Sequence, residues 1–420
     1  MDHFSLINGA LHAEGVPLAT IAAEVGTPVY VYSRATLERH ARVFQESLSG
    51  LQRTHFAFAI KANPNLSVLS VLAKCGFGAD VVSGGEVSRA IAAGMKPADI
   101  VFSGVGKTRG ELQAALDKGV GQFNIELEEE GTVLSALAAS MGRKAVAVLR
   151  VNPDVDAGTH AKISTGMKEN KFGVPIDQAG AIYTRLAALP GLDMRGVALH
   201  IGSQIFDLGP LEAAYAKLGG FAMDLRGQGL TVDRIDLGGG LGVPYKRDEV
   251  PPPPADYGRM VERVSKDWDV TLMFEPGRVI VGNAGVLLTE VIWVKPGVTH
   301  PWVIVDAAMN DLARPAMYDA WHDFEAVVPT GERMVANIAG PVCESGDTFA
   351  KARDIDVVKS GDLAVFRTAG AYGATMASTY NSRALVPEVM VDGDQWAIVA
   401  HRVEPETLIA AEPLPEWLRG

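Results

Sequence analysis

Cysteine is almost missing from this chain: among 420 residues only Cys75 and Cys343 occur, in no CxxC or metal-ligand spacing. That excludes a disulfide framework and fits a reducing cytoplasm. The nine histidines form no HxxxH pair, so no protein-bound metal is expected. Basic charge is also short, with 38 Lys and Arg against 50 Asp and Glu and a net charge of -12. An acidic chain of this kind is a poor partner for nucleic acid or an anionic membrane. No apolar run is long enough to span a bilayer. Met1-Asp2-His3-Phe4 lacks the basic and apolar regions of a signal peptide, so a cytoplasmic location is expected. What remains is a globular balance of 48% hydrophobic and 21% charged residues. The length is too great for one compact core, and two domains are expected.

Short apolar, β-favouring segments recur near 56–60, 79–82, 100–103, 121–125, 145–151, 196–201, 233–237 and 271–274, with helix-like stretches between them. The first four lie about 22 residues apart, the length of one compact β-loop-α unit. Later gaps are wider, and Asp154–Lys171 reads as an insertion. One helix-like stretch, Gly85 to Gly94, ends on a glycine cap. Eight such units predict an α/β fold, a (β/α)8 TIM-type barrel over residues 36–280, with an open doubly wound sheet as the alternative. Beyond 281 the regular helices stop, and strand-like runs at 286–294, 302–305, 334–338, 363–366 and 396–402 predict a mostly β, sandwich- or barrel-like domain. The strand candidate Pro28-Val29-Tyr30-Val31-Tyr32 is expected to join it, making that domain discontinuous, 1–35 with 281–420.

The unusual residues fall just after the predicted barrel strands. Lys61 closes the apolar run His55 to Ile60. An ammonium there must be paired or lose its proton readily. A lysine of the second kind forms a Schiff base with a carbonyl or with pyridoxal phosphate; the bland alternative is a side chain snorkelling to water. Asp80 to Glu86, Asn152-Pro153, His200 to Gln204, Gly238 to Gly242 and Glu275 to Arg278 follow other strands. In such barrels the C-terminal strand ends build the active site. Each cluster suits a phosphorylated aldehyde cofactor. Gly238, Gly239 and Gly240 leave amides open to a phosphate. Glu275 is placed to face a pyridine nitrogen and keep the ring protonated, and His200 to stack on the ring. Tight turns, a solvent-facing glutamate and a core histidine are the plain alternatives.

These segments closely resemble those of the diaminopimelate decarboxylases, fold-type III pyridoxal phosphate enzymes that end bacterial lysine synthesis. Phe58 to Asn63, His200 to Gln204, Gly238 to Gly242 and Glu275 to Arg278 are shared in some form with related decarboxylases. The second domain discriminates further, through Arg314 to Tyr318, Cys343 to Asp347, Gly370 to Gly373 and Met376 to Asn381. Two departures are small: Phe58 stands where tyrosine is common, and Asn170 where serine is usual.

The resemblance implies decarboxylation of meso-2,6-diaminopimelate to L-lysine and carbon dioxide. It places pyridoxal phosphate covalently on Lys61, within a cofactor set of Asp80, His200, Ser203, Gly238, Gly239, Gly240, Glu275, Pro276, Gly277, Arg278 and Tyr372. Cys343 takes the role of proton donor, and Cys75 is expected to be inert. Arg278 and Arg314 suit a distal carboxylate, with Tyr318 adding a hydroxyl and Glu344 for the distal ammonium, while Tyr372 completes the substrate set near the cofactor phosphate. A homodimer is implied, in which the Cys343–Asp347 segment reaches the neighbouring subunit's active site. The rivals are a decarboxylase of ornithine, arginine or carboxynorspermidine, a racemase of the same fold type, and a non-catalytic carrier of the cofactor. A decarboxylase of a basic amino acid gains nothing from two arginines, and known carriers are a barrel alone.

Overall fold

The protein is described by a computed structural model covering residues 2–156 and 171–419. Asn170 and most of the predicted insertion lie outside the described residues. The chain divides into two compact units: Leu37–Pro244 with Glu249–Ile280, and Met1–Thr36 with Tyr245–Asp248 and Val281–Gly420.

The first unit is a closed parallel barrel. Its strands, numbered here in chain order, are β1 (Thr54–Ala59), β2 (Gly78–Val81), β3 (Ile100–Phe102), β4 (Gln122–Ile125), β5 (Ala145–Asn152), β6 (Leu192–Ala198), β7 (Arg234–Asp236) and β8 (Thr271–Phe274). Each pairs with the next, and β8 pairs back onto β1 through Leu272–Thr54, Met273–His55 and Phe274–Phe56. That closure excludes the open doubly wound sheet. Every residue of β2, β3 and β4 is buried, because helices cover one face and the barrel interior the other. This is why β3 reads as a continuous apolar run, while Asp80, Gln122 and Asn124 interrupt β2 and β4. The helices carry the expected local signals. Ser83 caps helix Gly84–Ala92 by accepting from the Glu86 amide, and Thr108 forms a capping box with Glu111 on helix Arg109–Lys118.

β6 begins and ends earlier than the predicted 196–201. Its partner β7 stops at Asp236, opposite Ala198, so beyond the bond from the Leu199 amide to Asp236 O there is no ladder to continue. Residues 199–202 therefore leave the sheet as a loop.

The second unit is mostly β. Its main sheet runs in the order Thr348–Asp356, Arg333–Ala339, Trp302–Val305, Gly285–Lys295, Val29–Ser33, Glu388–Asp392, Gln395–Ala400. Val29–Ser33 is buried throughout, antiparallel to Gly285–Lys295 and parallel to Glu388–Asp392. Val29, Val31, Val286, Leu288, Val365 and Val389 share one apolar core. A separate three-stranded meander, Phe4–Ile7, Ala10–Ala13 and Val16–Pro17, opens the unit. Its first turn is Asn8-Gly9, with φ of 52° and 84° at the two residues, as a two-residue hairpin turn demands. Among the described residues no helix is long and apolar enough to cross a membrane.

Candidate active site

In the barrel unit the predicted residues gather at the C-terminal strand ends. Lys61 sits in a 3-10 turn, Ile60–Ala62, directly after β1; Ile60 and Ala62 are buried and pin the turn. Lys61 Nζ lies 2.9 Å from Asp80 Oδ2 at the end of β2. Asp80 is buried, and its Oδ1 has no hydrogen-bond partner among the described residues. The Glu275–Arg278 loop locks onto the same turn. The Ala59 amide donates to Pro276 O at 3.0 Å. A Cβ added at Gly277 would lie 3.2 Å from the Ala59 Cβ and 3.3 Å from the Ala62 Cβ, so only glycine passes this close.

The loops after β6, β7 and β8 also pack backbone to backbone. A Cβ on Gly239 would come within 2.3 Å of Glu275 O, and one on Gly240 within 2.8 Å of Gly202 O. The expectation that all three glycines offer free amides needs refinement. The Gly238 amide donates to Asp236 Oδ1 at 2.9 Å and the Gly239 amide to His200 Nδ1 at 3.3 Å. The Gly240 amide has no acceptor among the described residues, so an approaching anion meets that one. Accepting at Nδ1 requires the neutral imidazole. Burial, with Arg150 and Lys61 nearby, holds the His200 pKa well below its ordinary value. Arg278 is buried and donates from Nη2 to Ser203 Oγ at 3.2 Å.

Glu275 sits among acids. Burial first, then Asp236 and Asp80, raise its pKa well above the ordinary glutamate value, against a smaller opposing effect of Lys61. Asn124 Nδ2 reaches Asp236 Oδ2 at 3.2 Å, Ser103 Oγ at 3.1 Å and Glu275 Oε1 at 3.4 Å. Sequence reading missed Ser103, Asn124 and Asp236, and also Arg150, which is bound to Glu126 at 2.8 Å and lies 4.8 Å over the Phe172 ring. The signal was present: polar residues two apart in otherwise apolar strands, Gln122 with Asn124 and Arg234 with Asp236, all inside a barrel.

In the β unit, Arg314 to Tyr318 form one short helix, and Arg314 is buried. Its guanidinium lies 4.4 Å over the Tyr245 ring and donates from Nη1 to His322 Nε2 at 2.8 Å. His322 Nδ1 in turn donates to Arg367 O at 2.8 Å, which fixes the tautomer. This helix and the Cys343–Asp347 loop border the same cleft of about 340 Å3, through Pro315, Ala316 and Asp319 on one side and Ser345 and Gly346 on the other. Cys343 is exposed, so it is not the small buried hydrophobe that free cysteines usually are. Its amide donates to Asn381 Oδ1 at 3.3 Å. The exposed Glu344 carboxylate raises the pKa of the Tyr380 hydroxyl. Asp347 does not face the thiol chemistry: its carboxylate accepts from the Met309 and Val342 amides at 2.6 and 2.7 Å and pins the loop. Tyr372 is half-buried, with a left-handed φ of 55°. Cys75 caps the C-terminus of helix Leu66–Lys74.

The barrel residues fit a phosphorylated pyridine aldehyde: an amine on a buried acid, an open amide in a glycine loop, and a carboxyl of raised pKa at the same strand ends. Comparison with known proteins agrees. Residues 34–282 match the family model of the pyridoxal-dependent decarboxylase, pyridoxal binding domain. The chain is 51% identical over its full length to the diaminopimelate decarboxylase of Zymomonas mobilis, covering all of that protein. Among solved structures, the diaminopimelate decarboxylase of M. jannaschii in co-complex with L-lysine superposes with a TM-score of 0.95 at 34% identity, over 99% of each chain. The Helicobacter pylori enzyme complexed with L-lysine gives 0.90 at 38% identity, over 94% of this chain and 98% of that one. This chain therefore belongs to the diaminopimelate decarboxylase family of pyridoxal-dependent carboxy-lyases.

Proposed function

We propose that this protein decarboxylates meso-2,6-diaminopimelate to L-lysine and carbon dioxide, the last step of lysine biosynthesis, using pyridoxal phosphate held on Lys61. One observation carries the reading: an amine 2.9 Å from a buried acid at the mouth of a parallel barrel, in a chain that matches diaminopimelate decarboxylases end to end. Bound pyridoxal phosphate supplies an electron sink for the charge left on the α-carbon when carbon dioxide departs. The protein's own groups do the rest. Asp80 holds and orients the Lys61 amine that would carry the cofactor. Gly240, with Gly238 and Gly239 shaping its loop, presents its amide to the phosphate, and Tyr372 adds a hydroxyl. Neutral His200 offers a flat face to the ring, and Glu275, backed by Pro276 and Gly277, addresses the ring nitrogen. Ser203 holds Arg278.

Arg278, Arg314 and Tyr318 recognise the substrate's distal carboxylate, and Glu344 its distal ammonium. His322 and Tyr245 pre-orient the Arg314 fork, so little side-chain entropy is lost on binding. The Cys343 thiol delivers a proton to the α-carbon. The exposure of Cys343 and Glu344 in a single chain supports their service in the active site of a partner copy, and hence a homodimer with shared sites. A biosynthetic role, and two cysteines that form no disulfide among the described residues, support a cytoplasmic location.

The test supplies purified protein and pyridoxal phosphate with meso-diaminopimelate, L,L-diaminopimelate, ornithine or lysine. Lysine and carbon dioxide from the meso isomer alone are expected. Turnover of ornithine instead would overturn the substrate assignment while leaving the cofactor site standing, and racemisation without carbon dioxide would overturn the reaction class.

A further inference from the structure

Asp236 has no role in the reading above, yet it lies at 1% exposure beside Glu275. The barrel interior explains why it is held there. Side chains two apart on a strand share a face, so Gln122 and Asn124 of β4 and Arg234 and Asp236 of β7 form successive inner layers. In the lower layer Arg234 Nη1 donates to Gln122 Oε1 at 3.1 Å. Gln122 Nε2 then donates up to Asn124 Oδ1 at 2.9 Å, which turns the Asn124 Nδ2 toward the acids. From there Asn124 donates to Asp236 Oδ2 and Glu275 Oε1.

Asp236 thus accepts N–H bonds on both oxygens, from Gly238 on one and Asn124 on the other. That pattern favours its carboxylate form. The single Asn124 amide nitrogen reaches both acids, Asp236 Oδ2 at 3.2 Å and Glu275 Oε1 at 3.4 Å, so the two carboxyl groups crowd one point of the barrel interior, where a second negative charge is disfavoured and one proton is retained. With Asp236 occupied as an acceptor, the proton belongs on Glu275. The other charged groups acting on the pair are Asp80, which adds negative charge, and Lys61, which is bound to Asp80. Ser103 contributes only a hydroxyl, 3.5 Å from Glu275 Oε1. The upward pKa directions of both acids, led by burial, agree with one retained proton.

We propose that Asp236, oriented by Asn124, is a positioning residue that keeps Glu275 as a neutral carboxyl in the cofactor-free barrel, and that Glu275 passes this stored proton to the ring nitrogen of arriving pyridoxal phosphate. The step balances: the Glu275 O–H bond breaks, an N–H bond forms at the ring nitrogen, and the negative charge left on Glu275 faces the positive ring. Asn124 and Ser103 remain as donors to that charge. The inference rests on the reading that Glu275 faces the ring.

Infrared spectroscopy of cofactor-free protein with 13C-labelled glutamate tests it. One protonated carboxyl band, identified by its absence in Glu275→Gln, is expected before pyridoxal phosphate is added and lost afterwards. In Asp236→Asn the band is expected to be missing from the start. If that variant does not fold, Asn124→Ala, which withdraws a donor from both acids, is expected to move part of the band to a 13C-aspartate label. No band in the wild-type protein, a band unchanged by the cofactor, or one undiminished in both variants would overturn the inference. Failure of the wild-type protein to form a visible absorbance band through Lys61 would instead overturn the cofactor reading on which it rests.

Discussion

Asp347 is the residue through which the Cys343 loop is anchored, and replacing it with asparagine separates anchoring from chemistry. The carboxylate is 3% exposed and accepts from the Met309 and Val342 amides. A hydrogen bond to a charged group contributes roughly 1.5–3 kcal/mol. Asparagine keeps one acceptor oxygen but turns an amine toward the other amide, leaving a buried N–H unsatisfied. The loop has no easy escape, because Gly340 packs so closely that a Cβ there would lie 2.4 Å from Asp347 Oδ2. The net loss is about 2–3 kcal/mol, and at roughly 1.4 kcal/mol per tenfold it accelerates local amide exchange by about 30- to 150-fold. Hydrogen exchange read by mass spectrometry on peptides containing Met309 and Val342 measures this directly, with barrel peptides as the internal control. Turnover of meso-diaminopimelate is expected to fall by about tenfold or more as Cys343 loses its placement. An exchange change below about threefold at both amides would refute the anchoring argument.

Gly239→Ala sets a Cβ against the Glu275 carbonyl, which cannot yield, so pyridoxal phosphate affinity should drop by more than about tenfold in an absorbance titration. His322→Phe removes the acceptor that holds Arg314. The KM for meso-diaminopimelate should rise by roughly 10- to 100-fold while the cofactor absorbance stays unchanged. Lys107 is wholly buried on Glu130, Gly104 O and Asn124 O, so Glu130→Gln strands its charge and should lower stability in urea by about 3–5 kcal/mol. Burial, aided by Asp306 and Asp347, pushes Asp311 up to about 6 against the opposing Ala308 amide and Arg383. The folded chain therefore binds a proton there more tightly than the unfolded one, and stability falls by about 2 kcal/mol as pH rises from about 4 to 6. Asp311→Asn should flatten that portion of a stability–pH profile.

The barrel was legible because short buried strands recur at regular spacing, β3 as an unbroken apolar run and β2 and β4 with Asp80, Gln122 and Asn124 set among apolar residues. Strands with one wet face were harder to see. Thr348–Asp356 reads TFAKARDID, a charged stretch, because its exposed positions carry Lys351 and Asp354. Glu388–Asp392 and Phe324–Ala326 are short and have acidic residues, and all three were missed. The Asn8-Gly9 hairpin turn was plain in the sequence and passed over because the strands beside it are only four residues long. At the site, residues announced by glycine, proline or a distinctive motif were found. Asp236 and Asn124 lay inside strands, marked only by a second polar residue two positions earlier, Arg234 and Gln122. Asp347 shows the converse: its motif was visible, but only geometry showed that it anchors the loop.

The place of Val29–Ser33 in the second unit has a consequence for synthesis on the ribosome. This five-residue strand is buried at every position and is flanked by Gly285–Lys295 and Glu388–Asp392. It is translated more than 250 residues before the first of those neighbours. At about 5–20 residues per second the nascent chain holds an unpaired apolar strand for roughly 13–50 s before a partner emerges. In that interval the barrel unit, whose pairings other than the β8–β1 closure are between successive segments, can form first. The strand is meanwhile an open edge for a second nascent chain or a chaperone, so yield at high expression is set by its protection more than by the final stability of the sheet it completes.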